Sequence, residues 1–429
     1  MSRLAQELEK KAYHLRTLSD VSQEIFFLND PKEIIPKLLL MVMGSYGSMQ
    51  GVAFLFNEQQ SAIDVFSQRG FDSSLKEDLD LRLGNSNGGV LAGIDQPVAL
   101  EMGRALELDN PLLDYLVASE CSVFCPLKLQ DACIGGLALG AKLVGEPYSA
   151  DDMELLGTLV KQGAISVQNA RFQQQQITQE RLRKELEIAA SIQLSFLPSG
   201  VVDVPGIDVA AFFKPAKEVG GDFYDFIKLP ENRLGIVIAD VCGKGLPAAL
   251  HMALTRALIR SCVAHEPVNM SNAVLCTNSL LQQCAKTDHF VTLLFSIYDP
   301  ATGTLRYVRA GHNPPIFYSK RQHRYDLLGG QGVALGVFSG ITLEEREIDL
   351  EWGDIVVFYT DGITEAPNAE GEMFGVERIE QLLSEHENRS AHAIAEQIKS
   401  SVVEFEGPGR QFDDLTMVLL KKSVSSLYG

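Results

Sequence analysis

Between residues 200 and 422, short apolar runs repeatedly begin or end at aspartate, and no other feature limits the second half of the chain so tightly. GGDFYDF places Asp222 and Asp225 around an aromatic pair. LGIVIADVCGKG closes an apolar run on Asp240, DIVVFYTDG closes another on Asp361, and FDDLTMVLL opens one after Asp413 and Asp414. Runs of this length bounded by turn residues are strand signals. Strands that end at one edge of a sheet bring such carboxylates together however far apart they lie in sequence. At low dielectric their repulsion is costly unless a cation sits between them, so clustered carboxylates imply metal. Oxygen donors suit Mg2+ or Mn2+, and no Cys/His spacing points to zinc. Two such ions about 3.5 to 4 Å apart polarise a phosphoryl oxygen and supply hydroxide near neutral pH. Gly243, Gly245 and Gly362 allow tight turns and a close backbone approach beside two of these carboxylates.

The first half alternates helix-like and strand-like segments. EIIPKLLLMVMGSY reads as a helix, GVAFLFN and AIDVFSQRG as strands, and SVFCPLKLQDACIGGLALGAKL as a hairpin turning at Gln130 and Asp131. A helix follows over SADDMELLGTLVKQGAISVQNARF, with Ser149 as its cap and Asp151 and Asp152 favourable in its first turn. Two stretches carry alternating steps of four and three, the spacing of a coiled-coil seam. One is Leu4, Leu8, Lys11, Leu15, Leu18, Ser22 and Ile25; the other is Leu182, Leu186, Ala189, Gln193 and Phe196. The first reads equally as an amphipathic helix packed on its own domain. The second lies in a charged segment without Gly or Pro before Pro198, a connecting helix that either transmits a dimer rearrangement or acts as a rigid spacer.

At 429 residues the chain exceeds one ordinary core, so two domains and a connector are expected. With 46% hydrophobic and 22% charged residues it is a folded globular protein. A net charge of −19 argues against nucleic acid as a partner, because binding a phosphate backbone needs a basic face. No stretch approaches the roughly 20 apolar residues that span a bilayer, and the charged N-terminus is unlike a secretory signal, which makes the cytoplasm the expected compartment. The seven cysteines form no CxxC pair and are expected as reduced, mostly buried thiols.

Taken in order, GGDFYDF, ADVCGKGLPAALHMAL, AGHNPP, YTDGITEAPN and FDDLTMVLL resemble the PPM family of metal-dependent protein phosphatases, in the bacterial branch typified by stage II sporulation protein E and stress-response regulators. The resemblance covers about residues 197–421 and implies two Mg2+ or Mn2+ ions between two β-sheets flanked by helices. It implies that Asp240 bridges the ions, that the Val241 carbonyl and Asp222 serve the first, and that Asp361 and Asp413 hold the second. Asp414 stands beside Asp413 as the other candidate for that place. His312 in AGHNPP is expected either in a chemical role or as a turn residue buttressing the sheet. The implied substrate is a phosphoserine or phosphothreonine on a signalling protein, such as a STAS-domain anti-sigma-factor antagonist.

Residues 17–172 resemble a GAF domain, most clearly where a Gly-Leu-Ala-Leu-Gly strand leads through GEPYSADDMELL into ISVQNARF. This implies a sensor for an unknown small molecule. The whole reading is α+β: an N-terminal helix over 1–16, a GAF-like α/β sensor over 17–172, a coiled-coil linker over 173–197 joining subunits into a homodimer, an α-β-β-α phosphatase sandwich over 198–422, and a tail over 423–429. Two alternatives stand beside it. GGDFYDF also looks like the signature of diguanylate cyclases, although Phe223 stands where that signature needs an acid and the motifs around Asp240, Asp361 and Asp413 would go unexplained. The second is a catalytically silent scaffold, against which every expected ligand side chain is Asp.

Overall fold

The computed structural model describes residues 12, 16, 19, 23–25, 27–57, 62–84, 91, 93–100, 110–130, 132–198, 200, 203–265, 269–284, 289–409 and 411–423. The chain divides into two compact units, Met1–Leu182 and Arg183–Gly429. Of the N-terminal seam only Ile25 falls within the described residues, and it is buried.

The first unit comprises α1 (Pro31–Tyr46), β1 (Gly51–Phe56), β2 (Ile63–Arg69), α2 (Lys76–Gly84), β3 (Val98–Ala99), α3 (Pro111–Ala118), β4 (Cys121–Leu129), β5 (Ala132–Gly140) and the first part of α4 (Ala150–Phe196). Its antiparallel sheet has the order β2-β1-β5-β4-β3. Side chains alternate across the strands, as the period of two requires. Ala53, Leu55, Leu137 and Leu139 meet Leu38 of α1 and Leu156 and Leu159 of α4. Val52, Phe54, Phe124 and Ala138 meet Leu79, Leu112 and Leu116 on the opposite face. Both helix starts follow from local chemistry. The Asp30 carboxylate accepts the Lys32 N–H at 2.9 Å, and Ser149 and Asp152 form a reciprocal cap, with the Ser149 N–H reaching Asp152 Oδ2 at 2.8 Å. The hairpin turns as expected at Gln130, which adopts φ 53°; Asp131 lies outside the described residues. The expected linker is no separate element, because α4 runs unbroken through residues 150–196.

The second unit comprises β6 (Ile207–Lys214), β7 (Phe223–Lys228), β8 (Leu234–Val241), α5 (Leu246–His265), α6 (Met270–Cys284), β9 (Val291–Asp299), β10 (Thr304–Ala310), β11 (Ile316–Ser319), β12 (Arg324–Leu327), β13 (Glu345–Asp349), β14 (Ile355–Tyr359), α7 (Asp361–Thr364), α8 (Gly375–His386), α9 (Ala391–Glu406) and β15 (Leu415–Lys422), with a short 3-10 turn over Pro230–Asn232. Two five-stranded sheets have the orders β13-β10-β9-β8-β7 and β12-β11-β14-β15-β6. Alternation along β14 and β15 builds the layers. Val356, Phe358, Val418 and Leu420 join the core between the sheets, whereas Val357, Tyr359, Met417 and Leu419 pack under α8 and α9 with Ile379, Leu383, Ile394 and Ile398. On the far side Met252, Ile259, Val274 and Leu281 of α5 and α6 cover the first sheet. The result is the expected α-β-β-α sandwich.

One expectation fails here. Cys262 and Cys276 are joined as a disulfide between α5 and α6, so not every cysteine is a thiol. The two lie 14 residues apart with no motif around them, and only the packing of the two helices brings their Cα atoms to 6.1 Å. Cys121, Cys125 and Cys133 are buried thiols, as expected.

Candidate active site

The strand order explains why the aspartates meet. β7 begins just after Asp222 and its antiparallel neighbour β8 ends just after Asp240, so both lie at one edge of the first sheet. In the second sheet β14 ends just before Thr360 and Asp361, where β15 begins after Asp414. The two edges join through Asp222, whose Oδ2 accepts a hydrogen bond from Thr416 Oγ1 at 2.7 Å.

Each carboxylate has its own surroundings. Asp222 is 3% exposed, and burial, followed by the charges of Asp240 and Asp414, holds its carboxyl well above the ordinary range. Burial pushes Asp240 up to about 6, with repulsion from Asp361, Asp413 and Asp414 added and a hydrogen bond to Asp222 opposing it. Asp361 is raised by burial and then by Glu365 and Asp413. The Val241 carbonyl faces the same place, since a Cβ on Gly221 would come within 2.8 Å of its oxygen.

The adjacent pair at the head of β15 divides its work. Asp414, 7% exposed, accepts the N–H groups of Ala216 and Gly221 at 2.7 Å each and that of Asp222 at 3.4 Å, so its carboxylate ties down the 216–222 loop. Asp413 keeps 31% of its side chain exposed and faces Lys244, whose Nζ lies 2.8 Å from Oδ2. Gly362, within α7, is required where that helix passes them, because a Cβ there would stand 2.0 Å from the Asp414 carbonyl oxygen. The turn after β8 depends on Gly243 and Gly245, at φ 100° and 82°, conformations that side chains resist.

Asp225 is set apart from this group. It is fully buried and accepts Arg260 Nη1 at 2.7 Å on both oxygens and Arg256 Nη2 at 3.3 Å, tying β7 to α5. His312 is also structural. It is 1% exposed, its Nδ1 lies 2.9 Å from Thr292 Oγ1, and burial lowers its pKa to about 4, so it is neutral at pH 7. Thr292 pairs with Asp240 across β8 and β9, so His312 lies next to the strand that carries Asp240.

Sequence reasoning missed Gln193. It is 5% exposed; its Nε2 donates to the Gly220 carbonyl at 2.6 Å and its Oε1 accepts the Gly220 N–H at 3.0 Å. The end of α4 thus grips the backbone two residues before Asp222. Gln193 is therefore not free to face a coiled-coil partner, and a polar residue in an apolar repeat was the one signal of this. Thr416 and Lys244 were missed too, because neither hydroxyl nor amine stood out from its motif.

The donor set fits hard divalent cations. It consists of carboxylate oxygens and a backbone carbonyl, it lies at one edge, and Asp222, Asp240 and Asp361 are raised first by burial and then by neighbouring carboxylates, a repulsion that a bound cation would relieve. Among the described residues no three His, Cys, Asp or Glu side chains are set closely enough to hold one metal ion as they stand. Lys244 supplies the nearest positive charge at Asp413.

The PP2C domain of SiaA from Pseudomonas aeruginosa shares this architecture, with a TM-score of 0.50 at 23% identity over 57% of this chain and 98% of that one. The second unit thus has a PP2C-type phosphatase fold. The family model described as stage II sporulation protein E matches residues 230–423. Phosphoserine phosphatase RsbU of Bacillus subtilis (strain 168) is 30% identical over 246 residues, which are 57% of this chain and 72% of that protein. Protein IcfG of Synechocystis sp. is 32% identical over 273 residues, 56% of this chain and 42% of its own length. The chain belongs to the stage II sporulation protein E family of PP2C-type protein serine/threonine phosphatases. The cyclase alternative is thereby overturned. Among the described residues no helix is long and apolar enough to cross a membrane.

Proposed function

We propose that the chain is a cytoplasmic, sensor-controlled phosphatase that removes phosphate from serine or threonine of a signalling protein, with a phosphorylated STAS-domain antagonist as the substrate class. The observation that carries this reading is the gathering of Asp222, Asp240, Asp361 and Asp413 at one edge, where burial and then the neighbouring carboxylates oppose ionisation of the first three. In this reading Asp240 would serve both of two Mn2+ or Mg2+ ions, Asp222 and the Val241 carbonyl would help hold one, and Asp361 and Asp413 the other. Asp414 is spent on backbone N–H groups, which favours Asp413 as the ligand. When bound, the ions polarise the phosphoryl group and make water a nucleophile near neutral pH. The chain's own residues place the charge: Thr416 orients Asp222, Asp414 fixes the loop before it, and His312 supports the strand that carries Asp240.

The first unit, a sheet with helices on both faces, supports the GAF-like reading and a small-molecule signal. Helix α4 is the proposed lever, since its last turns hold Gly220. Ile188, Ile192 and Phe196 follow one another at steps of four along α4 and stay exposed, which supports a homodimer joined through this helix. The test is turnover of a phosphorylated STAS-domain protein by chelator-treated enzyme, with Mn2+ or Mg2+ then restored. We expect activity only with metal, and none from Asp240→Asn at unchanged circular dichroism. Metal-free turnover, or wild-type rates in that variant, would refute the assignment.

A further inference from the structure

The edge that carries the carboxylates is bordered by apolar side chains left in water. Lys244, in the turn after β8, donates to the Phe412 carbonyl at 2.8 Å and lies 4.8 Å from its ring centre, which fixes Phe412 beside Asp413. Leu246 and Leu250 follow, one turn apart on the first turns of α5 and both exposed. The next residue, His251, meets His289 edge-on with ring centres 5.1 Å apart. Beside it the Phe290 carbonyl accepts the Cys242 N–H at 2.9 Å. A Cβ on Gly336 would lie 3.3 Å from the His289 carbonyl oxygen, so Val337 and Phe338 belong to the same border.

These side chains are held outward. Asn278, 1% exposed, accepts the Gly336 N–H and donates to the Phe338 carbonyl, both at 2.8 Å. A buried amide thus fixes the backbone while the Phe338 ring remains 61% exposed and Leu250 64%. Monomer folding gains nothing from leaving a phenylalanine and two leucines in water, and exposed apolar side chains gathered beside one edge are the mark of a protein contact.

The occupant follows from geometry. A phosphoryl group on a serine or threonine hangs one short side chain from its backbone, so the surface around it must pass over this border when the phosphoryl group reaches the carboxylates. We propose that Leu246, Leu250, Phe290, Val337, Phe338 and Phe412 form the docking rim for a folded phosphoprotein whose phosphorylated residue is surrounded by apolar surface, and that this rim selects the substrate. The inference rests on the phosphoprotein reading above.

Leu250→Gln and Phe338→Gln are exposed, neutral changes, and Val403→Gln on the outer side of α9 serves as control. Each full-length variant is assayed with metal on a phosphorylated STAS-domain protein, on a short phosphoserine peptide cut from it, and on p-nitrophenyl phosphate. The two rim variants should raise KM for the phosphoprotein about tenfold, the size of a modest interface hot spot, and leave kcat and ester hydrolysis unchanged. Equal loss on phosphoprotein and ester would mean that these residues shape the centre itself, and would overturn the proposal. So would unchanged KM values, including the case in which scattering shows a dimer dissociating, since the rim would then join two copies of this chain. If the wild type cleaves the ester and leaves the phosphoprotein untouched, the substrate reading falls and the rim with it; if only the variants behave like the wild type, the rim alone falls.

Discussion

GGDFYDF contains two buried aspartates three residues apart, and the structure requires their removal to have opposite effects. Asp225 is an ion-pair partner: its carboxylate takes Arg260 Nη1 at 2.7 Å and Arg256 Nε at 3.1 Å while fully buried. Asp225→Asn keeps the shape but leaves Arg256, with 19% of its side chain exposed, largely without its counter-charge. Breaking such a pair costs roughly 3–5 kcal/mol. Arg260 is 42% exposed and can turn into water, which places the loss near the lower end, about 3 kcal/mol. For a unit of this size that corresponds to a fall of about 6–12 °C in Tm. Asp222 has the reverse sign. Its carboxyl is raised by burial and by Asp240 and Asp414, so its ionised form opposes folding at neutral pH in the absence of metal. Asp222→Asn should therefore raise the Tm of the chelated protein while lowering phosphatase activity at least about a hundredfold, the size expected when a preorganised electrostatic contact is lost. Asp225→Asn should keep activity within a few-fold below its melting range. Calorimetry in chelator and turnover with Mn2+ read both properties. Stabilisation by Asp225→Asn, or destabilisation by Asp222→Asn without metal, would refute the division between a structural and a metal-facing aspartate.

Three further outcomes follow from the same edge. Asp240, lifted from 3.8 to about 6 chiefly by burial, favours the folded state while protonated; that contribution is whole below pH 3.8 and is lost as the pH rises through 6. The metal-free protein should thus gain more stability from added Mn2+ at pH 7.5 than at pH 4.5 in thermal melts, and an equal gain at both would show that the carboxylates do not meet. Gln193→Ala leaves the Gly220 N–H and carbonyl without their partner at roughly 1–3 kcal/mol per group, so the Mn2+ concentration for half-maximal activity should rise about tenfold or more; an unchanged metal titration would detach α4 from the site. Crosslinking of the full chain should show a dimer that Ile188→Glu with Ile192→Glu dissociates, and a monomeric wild type would remove the basis for the proposed lever.

The sandwich was legible because strand signals are local. The apolar runs around Asp222, Asp240, Asp361 and Asp414 are short and bounded by turn residues, and the aspartates mark where the runs stop. What each aspartate does was less legible, because that depends on partners far away in sequence. Asp413 and Asp414 are chemically identical neighbours, and only the N–H groups of Ala216 and Gly221, almost the whole unit away along the chain, assign the second to the backbone. Asp222 and Asp225 differ in the same way, through Thr416 for one and Arg256 and Arg260 for the other.

Gln193 shows how the period itself can mislead. Steps of four and three through Leu186, Ala189, Gln193 and Phe196 mark one face of α4, yet periodicity says only that a face exists and is silent on what covers it. Gln193 itself is turned onto its own Gly220, whereas Phe196, on the predicted seam, and Ile188 and Ile192, off it, stay exposed. A dimer formed through Ile188 and Ile192 would leave Gln193 on Gly220, so pairing of subunits and positioning of the Asp222 loop can use different faces of one helix. Rotation of α4 about its axis would then be felt at both faces at once. In the proposed lever, the grip of Gln193 on Gly220 is the contact through which such a rotation would reach the Asp222 loop.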